Sequence, residues 1–346
     1  MDIIDAAAAK QDEDYTLFHA KIGVCGVGGG GSNTVQRLTR MNIQGAALIA
    51  VNTEQRHLSG IDSSVRKILI GGPLTRGMGA GGFPEMGAKA AEYSKDELED
   101  ALKDFNLVFI TAGMGGGTGT GAAPVIANIC KKNGAIVIGI VTVPFSLERV
   151  RLNVAKRGIE ELKKNVDTLV VIDNQKLVEV YKNLALDQAF RIADEITSRA
   201  VRGITETITT SSLINLDFAD VRNLMHGGGL AMISVGEAHG ANRVEEVVKN
   251  ALDNRLLDVD YETATSVLMH ITGGDNLTLG EANSIGNLLT ERLPKNANVT
   301  WGARLDPTYG DKIELIAIFM GVTGSSVLGS ASDNESKGDL LGIGEL

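Results

Sequence analysis

Two stretches of bare backbone carry the first chemical signal in this chain. GVGGGGSN at 26–33 and GMGGGTGTG at 113–121 each follow an apolar run and precede a helix-like segment, and the second puts six glycines and two threonines into nine positions. A glycine costs roughly 0.5–1 kcal/mol relative to alanine inside an ordered element, so a chain that only had to turn would use one or two. Close helix–strand packing alone is therefore a poor account of four glycines in a row. Successive amides in such a loop form a concave nest, and the helix that follows adds about half a positive charge at its start. The ligand this suits is an anion that comes close to the main chain, a phosphate above all. Thr118 and Thr120 add hydroxyl donors, and Pro124 is expected in the first turn of the second helix, where a missing N–H is tolerated. Neither loop has the G-K-[ST] ending of a P-loop. The charge of that absent lysine falls to helix dipoles and a bound Mg2+.

Carboxylates are the second signal. NLDFAD places Asp217 and Asp220 three apart at a helix start, with Asn215 just before them. On spacing alone this is helix capping, worth about 1 kcal/mol. Phe190 and Asp194 share one face of a long amphipathic segment, which by itself reads as a core position and a solvated one. The histidines are scattered, and no metal-ligand spacing exists. Cys25 and Cys130 lie in apolar segments, as expected of two buried thiols in a reducing compartment.

The elements that must position these residues alternate. Short apolar strands (KIGVCGV, AALIAVN, KILIG, LVFITAG, AIVIGIVTV, TLVVID) are separated by helices, the first expected from about Asn33 and another over 122–133. Strands with few polar interruptions imply a parallel sheet covered on both faces, a doubly wound α/β nucleotide-binding architecture. From Asp187 the apolar residues follow the 3.6 period of one long helix. Beyond it a smaller α/β unit with a mixed sheet is expected, with GGDNLTLGEAN supplying a turn and a helix start. The organisation is then an extension at 1–19, a nucleotide-binding domain at 20–186, a connecting helix at 187–207, a second domain at 208–325 and a flexible tail at 326–346. A formal charge of −10 argues against a nucleic-acid partner. No signal peptide is expected, and GAIVIGIVTVPF is too short to span a bilayer. A cytoplasmic protein follows, touching membranes only indirectly.

With GVGGGGSN, TRGMGAGG (75–82), NVDTLVVIDN (165–174) and NLDFADV (215–221) beside it, GMGGGTGTG has the form of a tubulin signature loop. Over roughly 20–325 the chain resembles the tubulin/FtsZ family, with NLDFADVR, GGGLAMISVGEA and VTWGARLD similar to archaeal members. The resemblance implies a GTPase of cell division that binds GTP or GDP with Mg2+ and stacks head to tail into protofilaments beneath the membrane at the division site. It implies phosphate contacts from Gly28, Gly29, Gly30, Gly31 and Asn33, and from Gly115, Gly116, Gly117, Thr118, Gly119 and Thr120. Asn52 belongs to the loop after the second strand, and Ala80, Gly81 and Gly82 to one that senses the γ-phosphate. Glu148 is implied at the ribose, with Arg151 or Arg149 as its basic partner because PFSLERVR is one residue shorter than the family's usual pattern. Asn174, Phe190 and Asp194 are implied around the base, Phe190 stacking on it and Asp194 accepting from guanine N1 and N2. Asn215, Asp217 and Asp220 become a catalytic loop inserted into the next subunit's pocket.

Two alternatives stay open. A dinucleotide-dependent enzyme expects an acidic residue ending the second strand, where the chain has Asn52 and Thr53 with Glu54 one step beyond. The other is a family paralogue concerned with cell shape instead of division, which the motifs do not exclude. The tail, ending DLLGIGEL, is either a frayed end or a short motif for a membrane-tethering or regulatory division protein.

Overall fold

A computed structural model of the protein describes residues 20–176, 186–209, 218–253 and 259–323. Strands β1 (Ile22–Val27), β2 (Ala46–Asn52), β3 (Arg66–Leu69), β4 (Leu107–Gly113), β5 (Ile136–Val143) and β6 (Thr168–Asp173) run parallel in the order β3-β2-β1-β4-β5-β6. Alternation along each strand splits the core into two layers. Cys25, Val27, Val108 and Ile110 pack on one face, Ile22, Val24, Leu107 and Phe109 on the other. The first face is covered by α4 (Pro84–Tyr93), α5 (Lys95–Leu102), α6 (Thr118–Lys132) and α7 (Arg149–Lys163), and the second by α1 (Gly28–Arg40), α2 (Gln55–Ser59) and the long α8 (Leu186–Thr209). The short α3 (Gly72–Thr75) follows β3.

After α8 come α9 (Phe218–Met225), β7 (Gly229–Ala238), α10 (Arg243–Asp253), β8 (Ser266–Gly273), α11 (Leu279–Thr290), β9 (Asn298–Leu305) and β10 (Ile313–Met320). Their strands are ordered β7-β10-β8-β9. β10 is antiparallel to both its neighbours and β9 is parallel to β8, the mixed sheet expected. Thr278 and Glu281 close a capping box at the start of α11, where the turn signal stood. Three parallel pairs, beginning with Thr168↔Gly229, stitch β6 to β7 and make one ten-stranded sheet of both units.

Three local expectations are corrected. α1 starts at Gly28, not near Asn33, and α6 at Thr118, not Ala122, so both glycine stretches enter their helices. Pro124 consequently lies inside α6, past its first turn. The reason is tertiary. A Cβ on Gly31 would run into the carbonyl oxygen of Thr111, and one on Gly119 would sit 2.6 Å from that of Gly113. Packing this close overrides glycine's poor helix propensity. The connecting helix is also longer than 187–207. Its 24 residues span about 36 Å. It begins near the carboxyl ends of the strands and ends against Gly45, just before β2, where a Cβ would meet the Thr209 side chain. The helix therefore runs from one end of the sheet to the other.

Candidate functional site

A cavity of about 690 Å³ opens at the carboxyl ends of β1, β2, β4, β5 and β6. This is where parallel α/β sheets place ligands, because loops and helix starts converge there. Its floor is the two glycine stretches. Gly29, Gly30 and Asn33 line it from α1, and Gly116, Gly117, Thr118 and Gly119 from the turn into α6. Asn52, Ala80, Gly81 and Gly82 form one side, Glu148 and Arg151 another, and Asn174 and Asp194 the far end.

Four expected phosphate contacts are not in this wall. Gly28, Gly31, Gly115 and Thr120 lie beneath it. A Cβ on Gly28 would stand 2.8 Å from the amide nitrogen of Gly119, and one on Gly115 would stand 2.7 Å from the carbonyl oxygen of Arg151. Thr120 accepts a 2.9 Å hydrogen bond from the Gly115 N–H, which pins the loop from behind. Gly29 and Gly116 differ. A Cβ on Gly29 would come no closer than 3.4 Å to His57, and one on Gly116 no closer than 4.0 Å to Arg151. Packing gives no reason for glycine at these two positions. Close approach from the cavity does.

The polar groups are held in specific ways. Asn52 Oδ1 accepts from the N–H groups of Thr53 (2.8 Å) and Glu54 (3.3 Å), which turns the chain off β2 and leaves the amide's own donors to the cavity. The Thr118 hydroxyl lies 2.6 Å from that of Thr53. Arg151 pairs with Glu148 and reaches the Gly115 carbonyl. The wall takes Arg151 and not Arg149. Burial pushes the Asp194 carboxyl up to about 6, against the opposing pull of the Arg37 guanidinium and the Thr34 hydroxyl. Asn174 is 5% exposed and its Oδ1 finds no hydrogen-bond partner among the described residues. A buried orphan acceptor is costly unless something completes it.

Several wall residues went unread in the sequence: Met78, Gly79, Met114, Thr142, Pro144 and Arg191. Arg191, three residues before Asp194 on one helix, and Met78, Gly79 and Met114, inside TRGMGAGG and GMGGGTGTG, carried a usable signal. Glu54 also lines the wall, but from the loop beyond β2. Phe190 lies on α8, and its side chain is outside what is described. Asn215 and Asp217 lie outside the described residues. Asp220 is exposed in the first turn of α9 and is not part of the cavity. α9 is attached at the opposite end of the sheet, where the Thr168 hydroxyl donates to the Met225 carbonyl at 2.8 Å.

Fold and cavity define a two-unit nucleotide-binding α/β protein. A family model described as Tubulin/FtsZ family, GTPase domain matches residues 21–182, and one described as FtsZ family, C-terminal domain matches residues 229–323. Cell division protein FtsZ 2 of Methanocaldococcus jannaschii is 53% identical over 336 residues, covering 95% of this chain and 88% of that one. The protein of the same title from Haloferax volcanii is 46% identical over 329 residues, covering 95% and 82%. Among solved structures, an FtsZ dimer of M. jannaschii superposes with a TM-score of 0.85 at 44% identity, covering 93% of each chain. CetZ1 of H. volcanii, at 23% identity, shares the fold with a TM-score of 0.78 over 89% of this chain and 96% of that one. The chain belongs to the tubulin/FtsZ family, and its first unit is the family's GTPase domain.

Proposed function

We propose that this protein is a cell-division GTPase that assembles head to tail and hydrolyses GTP where two subunits meet. The observation that carries this is the division of labour between the two ends of the sheet. The cavity has bare amides for phosphates at Gly29 and Gly116 and acceptors for a guanine edge at Asn174 and Asp194. The acidic segment around Asp217 and Asp220 leads into a helix fastened at the other end. A 24-residue helix, about 36 Å long, separates the two along the chain. The prong of one subunit then completes the cup of the next.

In this reading the phosphates lie over Gly29, Gly30, Gly116, Gly117 and Thr118, with Ala80, Gly81 and Gly82 near the γ-phosphate. Glu148 and Arg151 face the ribose, and Asn174, Phe190 and Asp194 face the base. Adenine cannot offer Asp194 both donors that guanine N1 and N2 supply. Asp217 and Asp220 of the neighbouring subunit orient the attacking water and Asn215 shapes their loop. The water oxygen bonds to the γ-phosphorus as the bridge to the β-phosphate breaks, giving GDP and phosphate. Positioning and fixed donors supply most of the rate. Mg2+ fits as a companion of the triphosphate, supplying positive charge where no P-loop lysine exists. Among the described residues no trio of His, Cys, Asp or Glu holds a metal alone. Phosphate oxygens, with help from Asp217 and Asp220, would hold it.

The protein acts in the cytoplasm at the division site, and among the described residues no helix is long and apolar enough to cross a membrane. Residues 326–346 serve as the linear motif for a tethering or regulatory partner. The domains are assigned as 20–186 and 208–325, joined by the connecting helix Leu186–Thr209 whose ends overlap them. A cell-shape role has less behind it, since the relatives at 46–53% identity carry a cell-division title. The GTPase rate per subunit is expected to rise cooperatively with protein concentration. A rate per subunit independent of concentration in a dilution series would refute the shared site.

A further inference from the structure

Asp167 stands just before β6, at the opposite end of that strand from Asn174. Six strand residues, about 20 Å, lie between them, so Asp167 touches nothing in the cavity. Its carboxylate is only 6% exposed, and its partners come from three separate segments. The Val137 N–H at the start of β5 donates to Oδ2 at 2.9 Å. The Lys131 ammonium, in the last turn of α6, lies 3.3 Å from Oδ1. Nδ1 of His226, the residue after α9, lies 3.4 Å from the same oxygen. The Asp167 main-chain carbonyl accepts from the Gly229 N–H at 3.3 Å.

A buried carboxylate tied within one unit would be an ordinary structural pair. This one joins the far end of α6, whose near end is the phosphate loop, to the chain leaving α9. Apart from the Thr168 hydroxyl on the Met225 carbonyl, the contacts named for α9 are apolar: Val221, Leu224 and Met225 are buried against the sheet. Apolar burial is non-directional and leaves the tilt of a short helix loosely set. Charged and hydrogen-bonded contacts have direction. We propose that Asp167 is a positioning residue for hydrolysis: through Lys131, His226 and Gly229 it fixes the angle at which α9 presents the acidic segment to the cup of the next subunit. This rests on the shared-site reading above. α9 is about 12 Å long, so a small tilt at His226 moves its start by an ångström, and a displacement of that size can cost up to about a hundredfold in rate.

The test uses the full chain with D167N, H226A and H226N, and D217A in parallel. GTP affinity is measured on unassembled protein, the assembled fraction by sedimentation, and KM and kcat per assembled subunit. D167N and H226A are expected to lower kcat per assembled subunit about five- to tenfold, with KM and GTP affinity held within about twofold. H226N, whose amide can donate near the place of the imidazole Nδ1, should restore most of the loss. D167N/H226A should be no worse than D167N alone, as for two members of one contact. Wild-type turnover per assembled subunit in D167N and H226A overturns the proposal, as does a loss confined to assembly. Should D167N fail to fold, H226A decides, because that side chain is 78% exposed. If D217A keeps full turnover, the shared-site reading itself fails and takes the proposal with it. Loss of turnover in D217A beside fully active D167N and H226A sinks the proposal alone.

Discussion

The two ends of the parallel sheet are built on opposite principles. At the carboxyl ends of the strands, polar groups are left wanting: the oxygen of Asn174 has no partner among the described residues, Asp194 is protonated more readily than an ordinary carboxyl, and Gly29 and Gly116 expose bare amides. At the amino end of β6 the polar groups are satisfied. Asp167 has three partners, and Thr168 holds the last carbonyl of α9. Desolvated polar groups cost free energy unless they are paired, so the first end is finished by a ligand and the second by the chain itself. In a head-to-tail polymer those two ends face each other.

Substitutions can sharpen or break this contrast. The largest effect is expected from Asp217→Ala, which should lower turnover of assembled protein by about a hundredfold or more while GTP affinity of the unassembled chain stays within about twofold. Equal losses of affinity and turnover would place that aspartate in its own subunit's cavity. Next come two glycines that look alike in sequence. Gly116→Val should weaken nucleotide binding at least about tenfold with little change in melting temperature, since the fold has room for the side chain. Gly31→Ala should instead destabilise the apo protein by about 2–4 kcal/mol, because its Cβ strikes the Thr111 carbonyl. The reverse pattern in binding and thermal melts would undo the assignment of floor and foundation.

A smaller effect concerns pH. Asp194 titrates near 6 in the apo fold against an ordinary value of 3.8, so between about pH 4 and 6 the unfolded chain loses this proton first. The group's contribution to apo stability therefore declines as pH rises through that window. Guanine needs the carboxylate. GTP affinity should rise with pH by up to about tenfold per unit below 6 and level off above about 7, and Asp194→Asn should flatten the profile. A wild-type titration of affinity that is flat from pH 5 to 7.5 would remove Asp194 from the base pocket. The smallest effect lies far from either end. The Arg243 guanidinium holds the Glu281 carboxyl down at about 2, and the pair joins α10 to the start of α11. A depressed value gives stability that is present above about pH 4.5 and lost as pH falls toward 2. Glu281→Gln should cost about 1–2 kcal/mol at neutral pH in chemical unfolding, with GTPase activity unchanged.

Much of the site was legible because the chemistry demands residue types that nothing else explains. Gly29, Gly116, Gly117 and Thr118 announced a close-approaching anion, and the resemblance placed Asn174 and Asp194 around the base. The wall holds all six. Gly28, Gly31, Gly115 and Thr120 are packed against protein and do not line the wall, which the sequence could not distinguish, because a glycine required by a neighbouring carbonyl and one required by a phosphate are the same letter. Thr142 and Pro144 were missed because their place in the wall depends on where distant segments end. The helix starts at Gly28 and Thr118 were misjudged for a related reason: propensity is local, and the packing that forces those turns is not.

The sequence alone determined the local matters: strands apolar throughout and so buried on both faces, a long helix of 3.6 periodicity, glycine where backbone must be bare, and an acidic segment before a helix. These follow from each residue's own geometry and hydration. Tertiary structure decided which glycines meet protein and which meet the cavity, that β6 and β7 join the two units in one sheet, and that Asp167 meets His226 just past the helix bearing Asp220. Those are relations among segments far apart along the chain, and no short-range pattern encodes a distance between them.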